Sequence, residues 1–453
     1  MADTELKRTI SSAGSQTKWG ASAWVKLLGV GTSISQPVYC SSKSDTTGNL
    51  RGIFITSDDK IQVAYYDGSY QFQVETNRLL RDPTAFYHLC IAYDSSQSTA
   101  ADRIKIYVNG VLETSFATSS YPAQNATYNF FGTDITQLVG SLREGSTICN
   151  PCVISHLHVT DGYCYAASSY GETDTTTGEW KWKNPSGISY GTNGFFVLKD
   201  DAALTDRSGQ GNNLSVGSGT ITKTQDCPNN NFATLNSLDY WGKNGATISN
   251  GNTTVATASA GHRYMISTIG VNKGKYYAEF KLTVAATSGN SLVGITDHIA
   301  YDGSDELSQD NYSYAYIGGG NDCVRANGSN VLTSMPTYGA NDIICVALDA
   351  DNNKLYFRKN ADAWINSGDP TSGSTGTGAV SIQPVASTAT GFYFFGVGDW
   401  HGSSSATWQC NFGNGYFGTT AVSSAGTNAS NLGIFEYDVP TGYTALCTKG
   451  LNE

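Results

Sequence analysis

Residues 103–116 read RIKIYVNGVLETSF, and this stretch decides the fold. Ile104, Ile106 and Val108 alternate with Lys105 and Tyr107, the period of two expected of a strand with one buried face. Asn109 and Gly110 separate that run from Val111 and Leu112. Asn-Gly tolerates positive φ at both central positions of a tight turn, so the segment reads as a β-hairpin. Upstream lie FYHLCIAYD (86–94), YQFQVET (70–76), KIQVAYY (60–66), RGIFITS (51–57) and SAWVKLL (22–28). Each is short, β-branched or aromatic, and bounded by Gly, Asp or Ser, which makes an antiparallel meander. QLVGSL (137–142) and VISHLHVT (153–160) extend it.

A polar, Gly- and Thr-rich passage follows. Residues 161–232 read as a connector whose one short strand is GFFVLKD (194–200). The strand style then returns in KYYAEFKLTV (275–284), SLVGITD (291–297), YSYAYIG (312–318), DIICVALDAD (342–351), KLYFRKN (354–360) and FYFFGVG (392–398). No window carries a sustained period of 3.6 with a cap, so long helices are not expected. The expected organisation is a sandwich over residues 1–160, the connector over 161–232, and a second sandwich with a C-terminal extension over 233–453. The fold class is all-β, two antiparallel β-sandwich domains in tandem.

Composition agrees. A chain of 453 residues exceeds one core and suits two domains of about 200 residues. Its 50 Gly and 27 Tyr favour short strands joined by many turns. Only 14% of residues are charged and the net charge is -11, which argues against nucleic acid and anionic membranes, both of which need clustered Lys and Arg. No stretch approaches the roughly 18 apolar residues of a membrane span, and MADTELKRTISS has no apolar run suited to a signal peptide. Ten cysteines (Cys40, Cys90, Cys149, Cys152, Cys164, Cys227, Cys323, Cys345, Cys410, Cys447) are thinly spread, and Cys90 and Cys345 sit where a strand would place Val or Ile. Free buried thiols and a reduced, cytosolic place of folding are expected.

Two family likenesses rest on particular residues. SAWVK, RDPTAFYHLCIAYD, DRIKIYVNGVLE and QLVGSLREGSTICNPCVISHLHVTDG make the first half similar to the laminin-G-like or concanavalin-A-like lectin superfamily, which has a jelly-roll fold. GKYYAEFKL, LVGITD, DIICVALDADNNKLYFRKN and CNFGNGYF make the second half resemble a SPRY domain. Between and around them, TDGYCYAASSYGE, YGTNGFFVLKDD, DRSGQGNN and CPNNNFATLNSLDY complete a layout that resembles uncharacterised bacteriophage structural proteins. That resemblance alone implies a virion surface protein, a head decoration, fibre or tail-associated subunit assembled in the host bacterial cytoplasm. Neither coiled-coil nor β-helical repeats appear, which favours a compact decoration or adaptor over a shaft.

Glycosidases on the concanavalin-like fold set two carboxylates on one strand face, and no strand here carries such a run. Glu172, Asp174 and Glu179 lie in a Thr-rich loop, while Asp302, Asp305, Glu306 and Asp310 surround a Tyr-rich turn. Both read as solvated loops, so no catalytic residue is assigned. Cys149, Cys152, His156 and His158 have ligand types suited to zinc, although His156 and His158 share one strand face while the cysteines straddle a turn. Packed thiols and half-exposed histidines are the plain alternative. Asp200, Asp201 and Asp206 offer oxygens to calcium or simply build a turn-rich linker. No other cofactor is expected.

Glycan binding needs aromatic faces with amides and carboxylates on loops at a sandwich end. Tyr301, Asp302, Asp305, Asp310 and Tyr312 in one second-half loop, with Asp399, Trp400 and His401 in another, supply that chemistry. The same residue types serve adaptable protein-binding loops. The expected function is therefore non-catalytic contact with host-surface polysaccharide. The alternative is a virion assembly module docking on other capsid or tail proteins or on copies of itself, and a polysaccharide-degrading enzyme comes last.

Overall fold

The structure, a computed structural model, describes residues 4–452 except 28, 31–34, 44–48, 145–151, 200–203, 223, 239–245, 258–261, 287–289, 298–306 and 401–404. It divides into two compact units, residues 1–223 and 224–453. Helical structure among the described residues is confined to short 3₁₀ turns, and no helix is long and apolar enough to cross a membrane.

Both units are antiparallel β-sandwiches. In the first, an eight-stranded sheet runs Phe116–Ser120, Tyr70–Leu79, Lys60–Asp67, Asn49–Ile55, Gln36–Lys43, Ile135–Val139, Glu5–Thr9, Ser215–Ser218. Its partner runs Phe195–Val197, Cys152–Asp161, Lys18–Leu27, Phe86–Asp94, Ile104–Val108, Val111–Leu112. The hairpin read from Asn-Gly forms as expected. Val108 pairs with Val111, and Asn109 and Gly110 take φ of 47° and 81°. Ile104, Ile106 and Val108 point into a core where Trp19 stacks on Tyr93 at 5.6 Å, with Tyr39, Phe72 and Phe130 around them. Burying aromatic rings of this size dominates the stability of such a core.

The passage expected to be a connector belongs mostly to this first sandwich. Phe195–Val197 pairs with Cys152–Asp161, setting Leu157 opposite Val197, and Ser215–Ser218 extends the other sheet beside Glu5–Thr9. Between them a hairpin of Gly171–Thr173 and Trp180–Trp182 lies on the outer face of the six-stranded sheet, with Trp180 stacked at 5.8 Å from His88. The expected boundaries at 160 and 232 therefore give way to one at 223/224. These strands have only three or four residues, too few for alternation to declare itself.

The second unit repeats the architecture. One sheet runs Thr247–Ser249, Thr254–Ala256, Thr407–Asn411, Lys275–Val284, Ile343–Asp349, Lys354–Lys359, Val380–Ser381, with Thr444–Ala445 added in parallel beside Lys275–Val284. The other runs His262–Ile266, Phe394–Trp400, Ser291–Thr296, Ser313–Ile317, Cys323–Ala326, Ser329–Leu332. Phe280, Tyr316, Phe357, Phe395 and Trp408 fill the space between. Among the described cysteines all are free thiols, and Cys40, Cys90, Cys323, Cys345, Cys410 and Cys447 are buried as small apolar side chains.

Candidate functional site

The two loops expected to converge in the second unit depart from opposite ends of one sheet. Thr296 lies opposite both Ser313 and Phe394, whereas Ser291 lies opposite Asp399 and Leu292 opposite Ile317. Asp310 and Tyr312, just before Ser313, are thus at the Phe394 end. Trp400 closes the same strand six residues later, about 20 Å away at the usual rise. Tyr301, Asp302, Asp305 and His401 lie outside the described residues.

Each described residue of that group also has a local structural task. Asp310 Oδ1 accepts the Tyr312 N–H at 2.9 Å, and half-buried Tyr312 packs against the inter-sheet core. Asp399 is buried and accepts from the Thr257 hydroxyl and, at 3.4 Å, from the Ala406 N–H, so it is not a loop carboxylate open to a ligand. Trp400 packs on an outer-face cluster of Tyr264, Leu292, Leu307 and Ile317, with the Arg325 guanidinium 4.7 Å from its ring centroid. Strand alternation and register, rather than loop composition, set these positions.

In the first unit the histidines are buried rather than half-exposed, because the Gly171–Trp182 hairpin and Phe196 cover them. A bulge between Ser155 and His158 changes the strand's phase. Cys152 consequently faces the inter-sheet core while His156 and His158 sit beside Phe196 on the outer face. Cys152 therefore cannot share a tetrahedron with them, and Cys149 lies outside the described residues. His156 Nδ1 is bonded to the Ser155 hydroxyl at 2.7 Å and His158 Nδ1 to Tyr190 at 2.8 Å. His158 Nε2 has no hydrogen-bond partner among the described residues, yet Phe196 stacks on that ring at 3.8 Å.

Ser22 and His88 form a buried pair at 2.8 Å that superficially resembles a nucleophile and its base. The Trp180 indole N–H donates to His88 Nδ1 at 3.0 Å, which leaves the proton on Nε2 and makes His88 the donor to Ser22. That tautomer cannot accept the serine proton. Burial pushes His88 down to about 3, keeping it neutral.

The acidic loops are equally committed. Asp206 takes four hydrogen bonds, from the Phe196, Ser208 and Asn212 N–H groups and the Ser208 hydroxyl at 2.7–2.9 Å. Its oxygens thus tie the DRSGQGNN turn to the Phe195–Val197 strand, and Asp200 and Asp201 lie outside the described residues. Asp174 caps its own turn and pairs with Lys181 at 2.9 Å, which holds it below the usual carboxylate range. Among the described residues no group of three His, Cys, Asp or Glu is placed to hold a metal ion.

A cleft lies elsewhere in the first unit. In the first unit, where the free edges of the two sheets meet, a cleft of about 440 Å³ is lined by Asp102, Ile104, Lys105, Leu112, Glu113, Phe116 and Tyr121, among others. Phe116 and Tyr121 are half-buried and pack in part against the inter-sheet core, and Leu112 is 41% exposed. Asp102 is 3.2 Å from Lys105, and Glu113 is held by Arg78 at 2.5 Å. Apolar ring faces with a few fixed polar groups are what a small-molecule or sugar site requires.

Comparison with known proteins supports this division. Residues 7–144 match the concanavalin A-like lectin/glucanases superfamily, and residues 275–368 match the SPRY domain. The chain carries a concanavalin A-like domain and a SPRY domain in tandem. Solved structures similar to the chain include the SPRY domain of human HERC1 (16% identity, 36% of this chain and 91% of that one, TM-score 0.29). Others are the PSpry domain of TRIM65 (10%, 40% and 88%, TM-score 0.28) and a human SPRY domain (11%, 36% and 94%, TM-score 0.25). No curated protein matches the chain.

The cleft of the concanavalin A-like domain was missed in the sequence because its residues look like ordinary strand and turn positions. One signal was present: Val111 and Leu112, just after Asn-Gly, are 60% and 41% exposed on the strand that ends its sheet among the described residues.

Proposed function

We propose that this is a non-catalytic binding protein of a bacteriophage virion surface, whose concanavalin A-like domain takes host-surface polysaccharide in the cleft between its sheet edges. The observation that carries the reading is the pairing of the half-exposed Phe116 and Tyr121 rings with Asp102 and Lys105 around one open cleft. A ring face serves the apolar side of a sugar, and the charged pair serves its hydroxyls. The two cleft carboxylates are each engaged by a cation, which suits recognition better than the proton donation a glycosidase asks of a neutral carboxyl. The virion placement rests on the resemblance in layout, and immunogold labelling of particles tests it.

A glycan array on the purified chain tests the binding. Tyr121→Ala is expected to weaken any hit about tenfold or more while the far-ultraviolet circular dichroism is unchanged. No hits, or hits indifferent to this change, would remove the cleft as a polysaccharide site. Release of reducing ends from a host polysaccharide would instead establish an enzyme.

A second reading is favoured by the same edges. Val111–Leu112 and Phe116–Ser120 each end a sheet, and an unpaired edge can accept a strand from a neighbouring virion subunit or another copy. That reading expects an empty array and a complex with a capsid or tail protein.

A further inference from the structure

Leu355 and Phe357 of the Lys354–Lys359 strand face the inter-sheet core, so alternation turns Tyr356 and Arg358 to the outer face of the SPRY domain. Arg358 is half-buried there. Its Nη2 donates to the Tyr277 hydroxyl at 3.2 Å and the Asp438 carbonyl at 3.1 Å, and lies 3.8 Å from the Cys345 sulfur. These partners are uncharged, and among the described residues Arg358 forms no ion pair. The acids around it are committed elsewhere. Glu279 takes four donors and is linked to Arg358 by the Tyr277 hydroxyl, while Asp438 Oδ1 takes the Thr427 N–H and hydroxyl at 2.7 Å each. A cation partly out of water among neutral partners is short of countercharge.

One edge of this guanidinium is open. Nε is closed off from solvent, whereas Nη1 is not, and Nη1 has no hydrogen-bond partner among the described residues. Two half-buried rings flank it, with centroids 4.9 Å (Trp364) and 5.6 Å (Tyr437) from the guanidinium carbon. The Trp364 loop is held in place, because Gly368 packs where a side chain would come within 3.3 Å of Trp364 Cβ and of the Tyr356 ring. Trp, Tyr and Arg together are the side chains that most often carry binding energy at protein interfaces. A single open nitrogen, without the Nε–Nη fork, is a poor match for the three oxygens of a phosphate and suits a carboxylate oxygen. A second copy of the chain would approach against the repulsion of a net charge of -11 on each, which points to a different protein.

We infer that Arg358, flanked by Trp364 and Tyr437, anchors a docking surface for a partner protein, its Nη1 donating to an Asp or Glu carboxylate in an acidic segment of that partner. The surface belongs to the SPRY domain and depends neither on the polysaccharide reading nor on the sheet edges of the other domain. The test is fluorescence anisotropy of a labelled hexaglutamate peptide against the full-length chain. A hexalysine peptide, a phosphoserine peptide and hexagalacturonate serve as comparison probes. Saturable binding of hexaglutamate is expected, weakening as salt rises. Arg358→Gln should weaken it about tenfold or more. Lys359→Gln removes a cation that points to the other side of the same strand and pairs with Asp342 at 3.3 Å, and it should leave binding unchanged.

Trp364→Ala, which removes a flanking ring and leaves the Arg358 hydrogen bonds in place, provides a second variant should Arg358→Gln lower the melting temperature. It too is expected to weaken binding. Absence of saturable binding, indifference to whichever folded variant is used, or an equal loss in Lys359→Gln would overturn the inference. So would binding of hexalysine, the phosphoserine peptide or hexagalacturonate as tight as that of hexaglutamate.

Discussion

The Glu279 carboxylate accepts the main-chain N–H of Tyr437 at 2.9 Å, and with it the N–H of Glu436 at 2.8 Å, so a buried acid in one strand holds a C-terminal strap against the SPRY sheet. The Tyr277 hydroxyl and the Asn411 amide add two more donors at 2.9 and 3.3 Å. Arg358 completes the clasp, donating to the Asp438 carbonyl at 3.1 Å with the Tyr437 ring at 5.6 Å.

Burial pushes the Glu279 carboxyl up to about 7 although these four donors pull it down. A carboxyl raised above its unfolded value of 4.5 stabilises the fold fully below pH 4.5, and that contribution is lost as the pH rises through 7. SPRY-domain stability is therefore expected to fall between pH 5 and pH 8, by an amount on the order of 2 kcal/mol from this group. Glu279→Gln should flatten the dependence and lower stability throughout, because its NH₂ meets the strap's N–H donors. Chemical denaturation at several pH values reads both, and an unchanged slope in the variant refutes the assignment.

His88 gives a prediction of opposite sign. Its folded value, lowered by burial to about 3 from 6.5, means that stability is present above pH 6.5 and is lost as the pH falls toward 3. Imidazole ¹⁵N shifts should show one neutral tautomer, protonated on Nε2, from pH 8 to below pH 5. Protonation on Nδ1 would contradict the Trp180 hydrogen bond.

How much of this was legible in the sequence depends on element length. The Asn109-Gly110 hairpin, the Lys275–Val284 strand and the Ile343–Asp349 strand announce themselves because alternation or apolar runs persist over five to ten residues. The Trp180–Trp182 strand does not, since three residues between Thr-rich turns carry no period. Site residues fared worse for a different reason. Loop composition in the second half suggested that the loop of Tyr301 and Asp302, which runs on to Tyr312, and the loop of Trp400 and His401 converge at one sandwich end, yet strand register, a long-range property, puts Tyr312 and Trp400 at opposite ends. Similarly, the 153–160 run gave no sign of the bulge that separates Cys152 from His158.

Trp400 is accordingly expected to act through packing. Its side chain packs on the cluster that holds Leu292 and Ile317 and takes the Arg325 guanidinium over its ring, so Trp400→Ala should cost about 3 kcal/mol and lower the melting temperature. Adsorption per folded molecule to host cells or isolated polysaccharide should not change. A loss of adsorption with unaltered melting would return Trp400 to the list of contact residues.

The unit boundary makes the last prediction, and it separates two truncations that differ by eleven residues. A chain of residues 224–453 retains Phe232, which is fully buried among Tyr277, Phe435, Tyr443 and Cys447 and bridges to Cys447. It also retains Asp226, whose Oδ1 accepts the Phe232 N–H at 3.1 Å, and the Ala233 N–H that reaches the Leu446 carbonyl at 2.9 Å. A chain of residues 235–453 loses all of these. Removing a buried Phe side chain alone costs about 3–5 kcal/mol, a large part of the roughly 5–15 kcal/mol that holds a domain. The longer piece should therefore melt cooperatively, and the shorter should melt far lower or aggregate. The same reasoning applies to the first unit, where a chain ending at residue 160 loses Phe195–Val197 and the Trp180 hairpin and so uncovers His88 and His158. Residues 1–223 should fold where residues 1–160 do not, and equal melting temperatures for either pair would show that these added segments are not integral to their sandwiches.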